Sequence, residues 1–203
     1  MGRDPPCERL ACGMTRGRGL AEGAHITALG IWLGALAMIA AGAPLVFRTM
    51  EGLEPMLADY LAYREPHYRI AGGHIVQRLF AVCDLLQTVS ALGAGLTLAL
   101  IALNDRRLRG LNLVRTIALI VVVGILAYRF YLLDPELRLQ LDAYWKAAAA
   151  GGGPAAEDLR QAYDRGHQFE RKLFAATALV VLGLLWMSLL SLSQAGRDPR
   201  KAE

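Results

Sequence analysis

Four stretches of this chain carry no charged side chain: Ile26 to Phe47, Leu85 to Leu103, Thr116 to Tyr128 and Leu173 to Gly196. A hydrocarbon core about 30 Å thick is crossed by about 20 apolar helical residues. The first, second and fourth stretches meet that length unaided. The third does so when it extends from Leu111 to Leu133, with Arg115 and Arg129 snorkelling toward the headgroups. Four buried helices of this length in a soluble 22.0 kDa protein would leave too little polar surface, so a chain that is 55% hydrophobic reads as membrane-embedded. The expected fold is an all-α, integral membrane four-helix bundle with short amphipathic helices in its two outer connectors.

Residues 1–24, rich in Gly and Arg, read as a disordered cytoplasmic tail. Residues 25–194 read as the membrane domain, with spans at about 26–47, 80–103, 111–133 and 173–194, and 195–203 as a second cytoplasmic tail. A signal peptide is disfavoured although Ala41-Gly42-Ala43 resembles a cleavage site, because the apolar run is long and Pro44 follows the cut. Met14 offers an alternative start. Pro44 is expected to bend or end span one. Met56, Tyr60 and Tyr63 share a helical face in the first connector. Asp134-Pro135 reads as a helix start whose amphipathic helix, anchored by Trp145, lies on the membrane surface. Gly151-Gly152-Gly153-Pro154 reads as a linker.

The net charge of +4 does not indicate nucleic acid, since the basic residues sit at the ends of apolar spans. Membrane lipids are the expected surroundings, with a homo-oligomer or another membrane protein as a further partner. The densest basic turn, Arg106, Arg107 and Arg109, is expected in the cytoplasm. Both termini then lie on that side, in agreement with Arg16, Arg18, Arg197, Arg200 and Lys201, and the two long connectors face outward.

Depth arithmetic brings several polar residues together. Asp84 lies roughly 28 Å back from Leu103, and Arg129 roughly 26 Å on from Asn112, so both sit near the outer edge of the hydrocarbon. Opposite charges at that depth should pair. Gln87 is one turn deeper, and Arg48, Arg78 and Glu170 stand at or just above the same level. One reading is a polar rim that fixes helix packing; the other is an outward polar pocket for an anion, lipid headgroup or metal. On helix two the small and polar stripe Gln77, Ala81, Asp84, Thr88, Ala91, Gly95 is expected to face other helices. Gly30 and Gly34, with Gly95, are the expected helix-packing glycines.

Bis-His ligation needs two imidazoles at matching depth, and of the four histidines only His74 and His167 stand close enough in height. Solvated or rim histidines are the default, with no cofactor. Cys7 and Cys12 lack a nearby His, and the methionines show no paired spacing for Cu(I). No Walker loop, nucleophile elbow, zinc-protease helix or dinucleotide fingerprint is present, so an enzyme is not expected.

The segments His25-x6-Trp32-Leu33-Gly34, Ala43-Pro44-Leu45-Val46-Phe47-Arg48 and Ala71-Gly72-Gly73-x5-Leu79-Phe80 resemble bacterial four-span membrane proteins. Those proteins carry a domain of unknown function related to eukaryotic transmembrane protein two-hundred-five. The resemblance implies a small four-span membrane domain whose activity is undefined. The family tends to place a Ser three residues after a His at the start of the fourth helix; here Glu170 follows His167. The His25-x6-Trp-Leu-Gly opening is also similar to copper-resistance D-type membrane proteins. The expected role is therefore non-enzymatic, in transport support, envelope stress or structure, within a bacterial inner membrane. Copper or haem handling, and a small transporter with an outward polar pocket, are the alternatives.

Overall fold

The computed structural model describes residues 6–104 and 110–195. The order is α1 (Pro6–Leu53), a three-residue 3-10 turn (Ala58–Tyr60), α2 (Tyr68–Asn104), α3 (Leu111–Tyr128), a π-helical turn (Arg129–Leu133), α4 (Asp134–Ala149) and α5 (Pro154–Ala195). Four apolar segments are long enough to cross a membrane: Gly19–Leu53, Tyr68–Leu103, Leu111–Ala149 and Pro154–Ser193. The protein is an all-α, multi-pass membrane protein. The basic turn at Arg106–Arg109, the tail at 196–203 and the side chains of Cys7 and Cys12 lie outside what is described.

Exposure supports that assignment. Leu85, Val89, Leu92, Leu96, Leu100 and Leu103 form an exposed apolar line along α2. Water would not tolerate so long an apolar face, whereas acyl chains solvate it at no cost.

Several expectations are corrected. Helix α1 already runs from Pro6, so residues 6–24 are helix rather than tail, and Glu22 and His25 are buried. It also continues through Pro44 to Leu53. The first connector holds only the 3-10 turn, with Met56 exposed and Tyr63 buried rather than sharing a face. Most consequentially, α4 begins at Asp134 as expected, but without a break from α3, and Leu133 rather than Asp134 holds the N-cap position. The Asp134 N–H bonds to the Arg129 carbonyl, five residues back. That wider π turn gives the proline ring, which lacks an N–H, room in a helix that runs on from Leu111 to Ala149. Asp134 makes no cap.

The contacts divide the chain into two compact units. The first comprises residues 1–34, 86–122 and 179–203; the second comprises 35–85 and 123–178. In the first, α2 buries Gln87, Ser90, Ala94, Leu98 and Ile101 at the three-and-four spacing that packs one helix against others. The buried line therefore passes beside the expected small-residue stripe, of which Ala91 is the one buried member. On α3, Asn112, Arg115, Leu119 and Val122 share a buried face.

In the second unit, Tyr63, Ile70, Tyr144, Trp145, Ala148 and Ala156 form an apolar cluster. Tyr144 and Trp145 are thus buried in the protein rather than anchored at a lipid surface. The Tyr63 and Tyr144 hydroxyls meet at 2.9 Å. His67, expected to be solvated, is buried: its Nδ1 accepts the Leu57 N–H at 3.0 Å and its Nε2 donates to the Tyr63 carbonyl at 3.1 Å. Gly152 has φ +73°, and a Cβ there would stand 2.7 Å from the Tyr63 ring.

Candidate functional site

Arg129 organises the polar centre of the second unit. It is 1% exposed, and its Nη2 donates to Asp84 Oδ1 at 3.0 Å. The expected Asp84–Arg129 pair is present. Asp134 Oδ2 lies 3.5 Å from the same nitrogen and Glu170 Oε1 3.8 Å. The guanidinium carbon stands 4.0 Å above the Phe174 ring, a cation–π contact. Three carboxylates thus meet one guanidinium inside the protein. The sequence context of Asp134 predicts a helix cap; the π turn instead brings it beside the arginine five residues earlier.

These three carboxylates line a cavity of about 510 Å³ within the second unit. Its walls come from α1 (Phe47, Arg48, Glu51), from α2 between Tyr68 and Asp84, from α4 and from α5. Exposed Arg48 lines this cavity, whereas Arg78, also exposed, is not among the lining residues. Arg160 is held by Glu157 at 2.6 and 2.8 Å and by Asp164 at 2.7 Å. Gln87 is not among the lining residues; in the first unit its Oε1 accepts the Trp32 indole N–H at 3.3 Å. Height along a helix is readable from residue counts, but rotation is not, and Gln87 turns toward Trp32.

The two histidines considered for metal each have partners of their own. His167 Nδ1 lies 3.0 Å from Glu170 Oε2, and its ring stacks on Tyr163 with centroids 5.5 Å apart. The His74 ring lies 3.9 Å from that of Trp145. Among the described residues no group of three His, Cys, Asp or Glu side chains is placed to hold a metal ion.

A second buried polar cluster, which sequence reasoning missed, lies in the first unit. Arg115 does not snorkel; it is fully buried and grips Glu22 with two parallel bonds of 3.0 and 2.8 Å. Asn112 and Ser191 complete the cluster at 3.3 and 3.2 Å. His25 is also buried, with Nδ1 3.1 Å from the Ala94 carbonyl and 3.0 Å from the Thr97 hydroxyl. A carbonyl only accepts, so the ring proton sits on Nδ1 and Nε2 keeps a lone pair without a hydrogen-bond partner. A signal was available: spans one and three run in the same direction, so opposite charges near their beginnings fall at one height.

The packing glycines also differ from expectation. A Cβ on Gly30, Gly34 or Gly95 would meet nothing within 4 Å, because the buried side of α1 carries Leu29, Trp32 and Leu36 and leaves Gly30 and Gly34 exposed. Besides Gly152, the close approaches occur at Gly72, where a Cβ would stand 2.8 Å from the Phe47 ring, and at Gly166, where it would stand 2.6 Å from Leu137.

The chain matches no family model, no curated protein and no solved structure. The site's chemistry is therefore read from its own residues.

Proposed function

We propose that this protein is a non-enzymatic, multi-pass inner-membrane protein that takes a small polar solute into the cavity of its second unit, in a transport or transport-accessory role. The observation that carries the reading is the group of three carboxylates around Arg129 at the cavity wall. A purely structural ion pair needs one carboxylate for one arginine. Surplus buried charge is costly, and in membrane proteins it is retained mainly where it faces a pathway or a ligand. The separate engagement of His74 and His167 favours this reading over copper or haem handling. Membrane lipids are the proposed surroundings, and both termini are placed in the cytoplasm because of the basic turn at Arg106–Arg109.

Two measurements test this. A water-soluble maleimide should label a Gln77→Cys variant in intact membranes much faster than the buried native Cys83, because Gln77 lines the cavity. Equal, slow labelling would mean that the cavity excludes water, and the reading would fail. Reporter fusions at Asn104 and Gly152 should report opposite sides; the same side for both would overturn the topology.

A further inference from the structure

We infer that the acidic end of this cavity receives the ammonium group of an organic amine whose apolar or aromatic body lies along the cavity walls. The inference rests on the reading of the cavity as a solute site and adds the class of solute.

The charges at this end do not balance. Asp84, Asp134 and Glu170 face Arg129, and Arg138 acts electrostatically on both Asp84 and Asp134 from one turn along α4. Beside an uncharged His167, whose Nδ1 lies 3.0 Å from Glu170 Oε2, three carboxylates against two guanidinium groups leave one formal negative charge. Asp134 Oδ1 is wholly buried and has no hydrogen-bond partner, although its residue lines the cavity and its Oδ2 faces Arg129. With a rotation of the Asp134 carboxylate that turns Oδ1 to the cavity, an incoming N–H⁺ donor supplies both the missing charge and the missing hydrogen bond.

The surroundings select the kind of cation. Arg129 already occupies the centre of the carboxylates, and among the described residues no three His, Cys, Asp or Glu side chains are placed to hold a metal ion. That arrangement suits a single donor approaching from the cavity rather than an ion that needs several oxygen ligands. The neighbouring wall is aromatic. Phe80 stands one turn from Asp84 and packs edge-on against Phe174 at 5.5 Å, and Tyr163 stands two turns from Glu170, stacked on His167. Fixed π faces next to excess negative charge attract organic ammonium groups. The other arginines on the lining do not oppose this. Arg160 is held by its own acids. Arg69 is roughly 22 Å from Asp84 along α2, and Gly72, beside which the Phe47 ring preceding Arg48 packs, is roughly 18 Å from Asp84 on the same count.

The test uses the full chain purified in mild detergent and isothermal titration with phenethylammonium chloride, with phenylacetate and sodium chloride as comparisons. Saturable binding of phenethylammonium is expected, with none of phenylacetate and no competition from equimolar sodium. Asp134→Asn should weaken that binding by about tenfold or more. Phe80→Leu, which keeps every charge, should weaken it by a smaller factor and so guards against a variant that fails to fold. Binding that is absent, equal for phenylacetate, or unchanged in Asp134→Asn would overturn the amine assignment. Maleimide labelling of Gln77→Cys, run on the same preparation, separates the two failures: labelling without amine binding rejects the amine alone, whereas absent labelling rejects the solute cavity as well.

Discussion

Each of the two units buries one arginine almost completely, and the two arginines are used differently. Arg115 faces a single carboxylate, Glu22, through two parallel bonds, with Asn112 beside its Nη1 and Ser191 donating to Glu22. Arg129 faces three carboxylates, reaches them through one nitrogen, and rests on an aromatic ring beside a cavity. Charge balance distinguishes them. A bidentate pair of equal and opposite charges is complete in itself and acts as a fastener between spans. An arginine with surplus acid leaves carboxylate capacity for a further cationic group, so the second centre is suited to binding and the first to holding.

The contrast is most exposed to Glu22→Gln and Arg115→Gln. Each leaves a buried charge without its partner, and each should cost about 3–5 kcal/mol in reversible unfolding from mild detergent into dodecyl sulfate. A loss near that of a surface substitution would show that water reaches this pair. Next in size is the coupling at the other centre. Asp84→Asn and Arg129→Gln should each destabilise, and the double variant should lose less than their sum by about 0.5–3 kcal/mol. Strict additivity would separate the two residues and remove the basis of the second centre.

Glycines sharpen the same comparison through packing. Gly72→Leu, in the second unit, drives a side chain into the Phe47 ring and should cost about 1–3 kcal/mol, read as a lower melting temperature in detergent. Asp134→Asn should change stability by less than about 1 kcal/mol, because two carboxylates still face Arg129. A loss as large as that of Glu22→Gln would make Asp134 a structural partner and the carboxylates a balanced set. Smallest is Gly34→Ala: a Cβ there meets nothing within 4 Å, so helix propensity alone should raise stability by up to about 1 kcal/mol. Destabilisation at this position would indicate that Gly34 packs against a second copy or another protein.

Part of the candidate site was legible because height in a membrane helix follows from residue number. Asp84 and Arg129 were placed at one level by counting, and their carboxylate and guanidinium meet at 3.0 Å. Counting does not fix rotation: Gln87, at almost the same height, bonds Trp32 and is not among the residues that line the cavity. Asp134 was obscured for a different reason. Asp-Pro ordinarily opens a new helix, and only a π turn, invisible in the residue pattern, carries the helix through that dipeptide and aims the carboxylate at Arg129.

The sequence by itself determined that this chain crosses a membrane as four helices. Apolar length against hydrocarbon thickness is a one-dimensional requirement, and the exposed leucine line of α2 meets it in full. It also fixed which charges lie at a common depth. Which side chains meet was decided by the tertiary structure. Each helix can turn about its own axis without changing any residue's depth, and packing alone selects the angle. That choice left Gly30 and Gly34 open and drew Glu22 and Arg115 together. It also gathered three carboxylates around one arginine at the wall of a cavity.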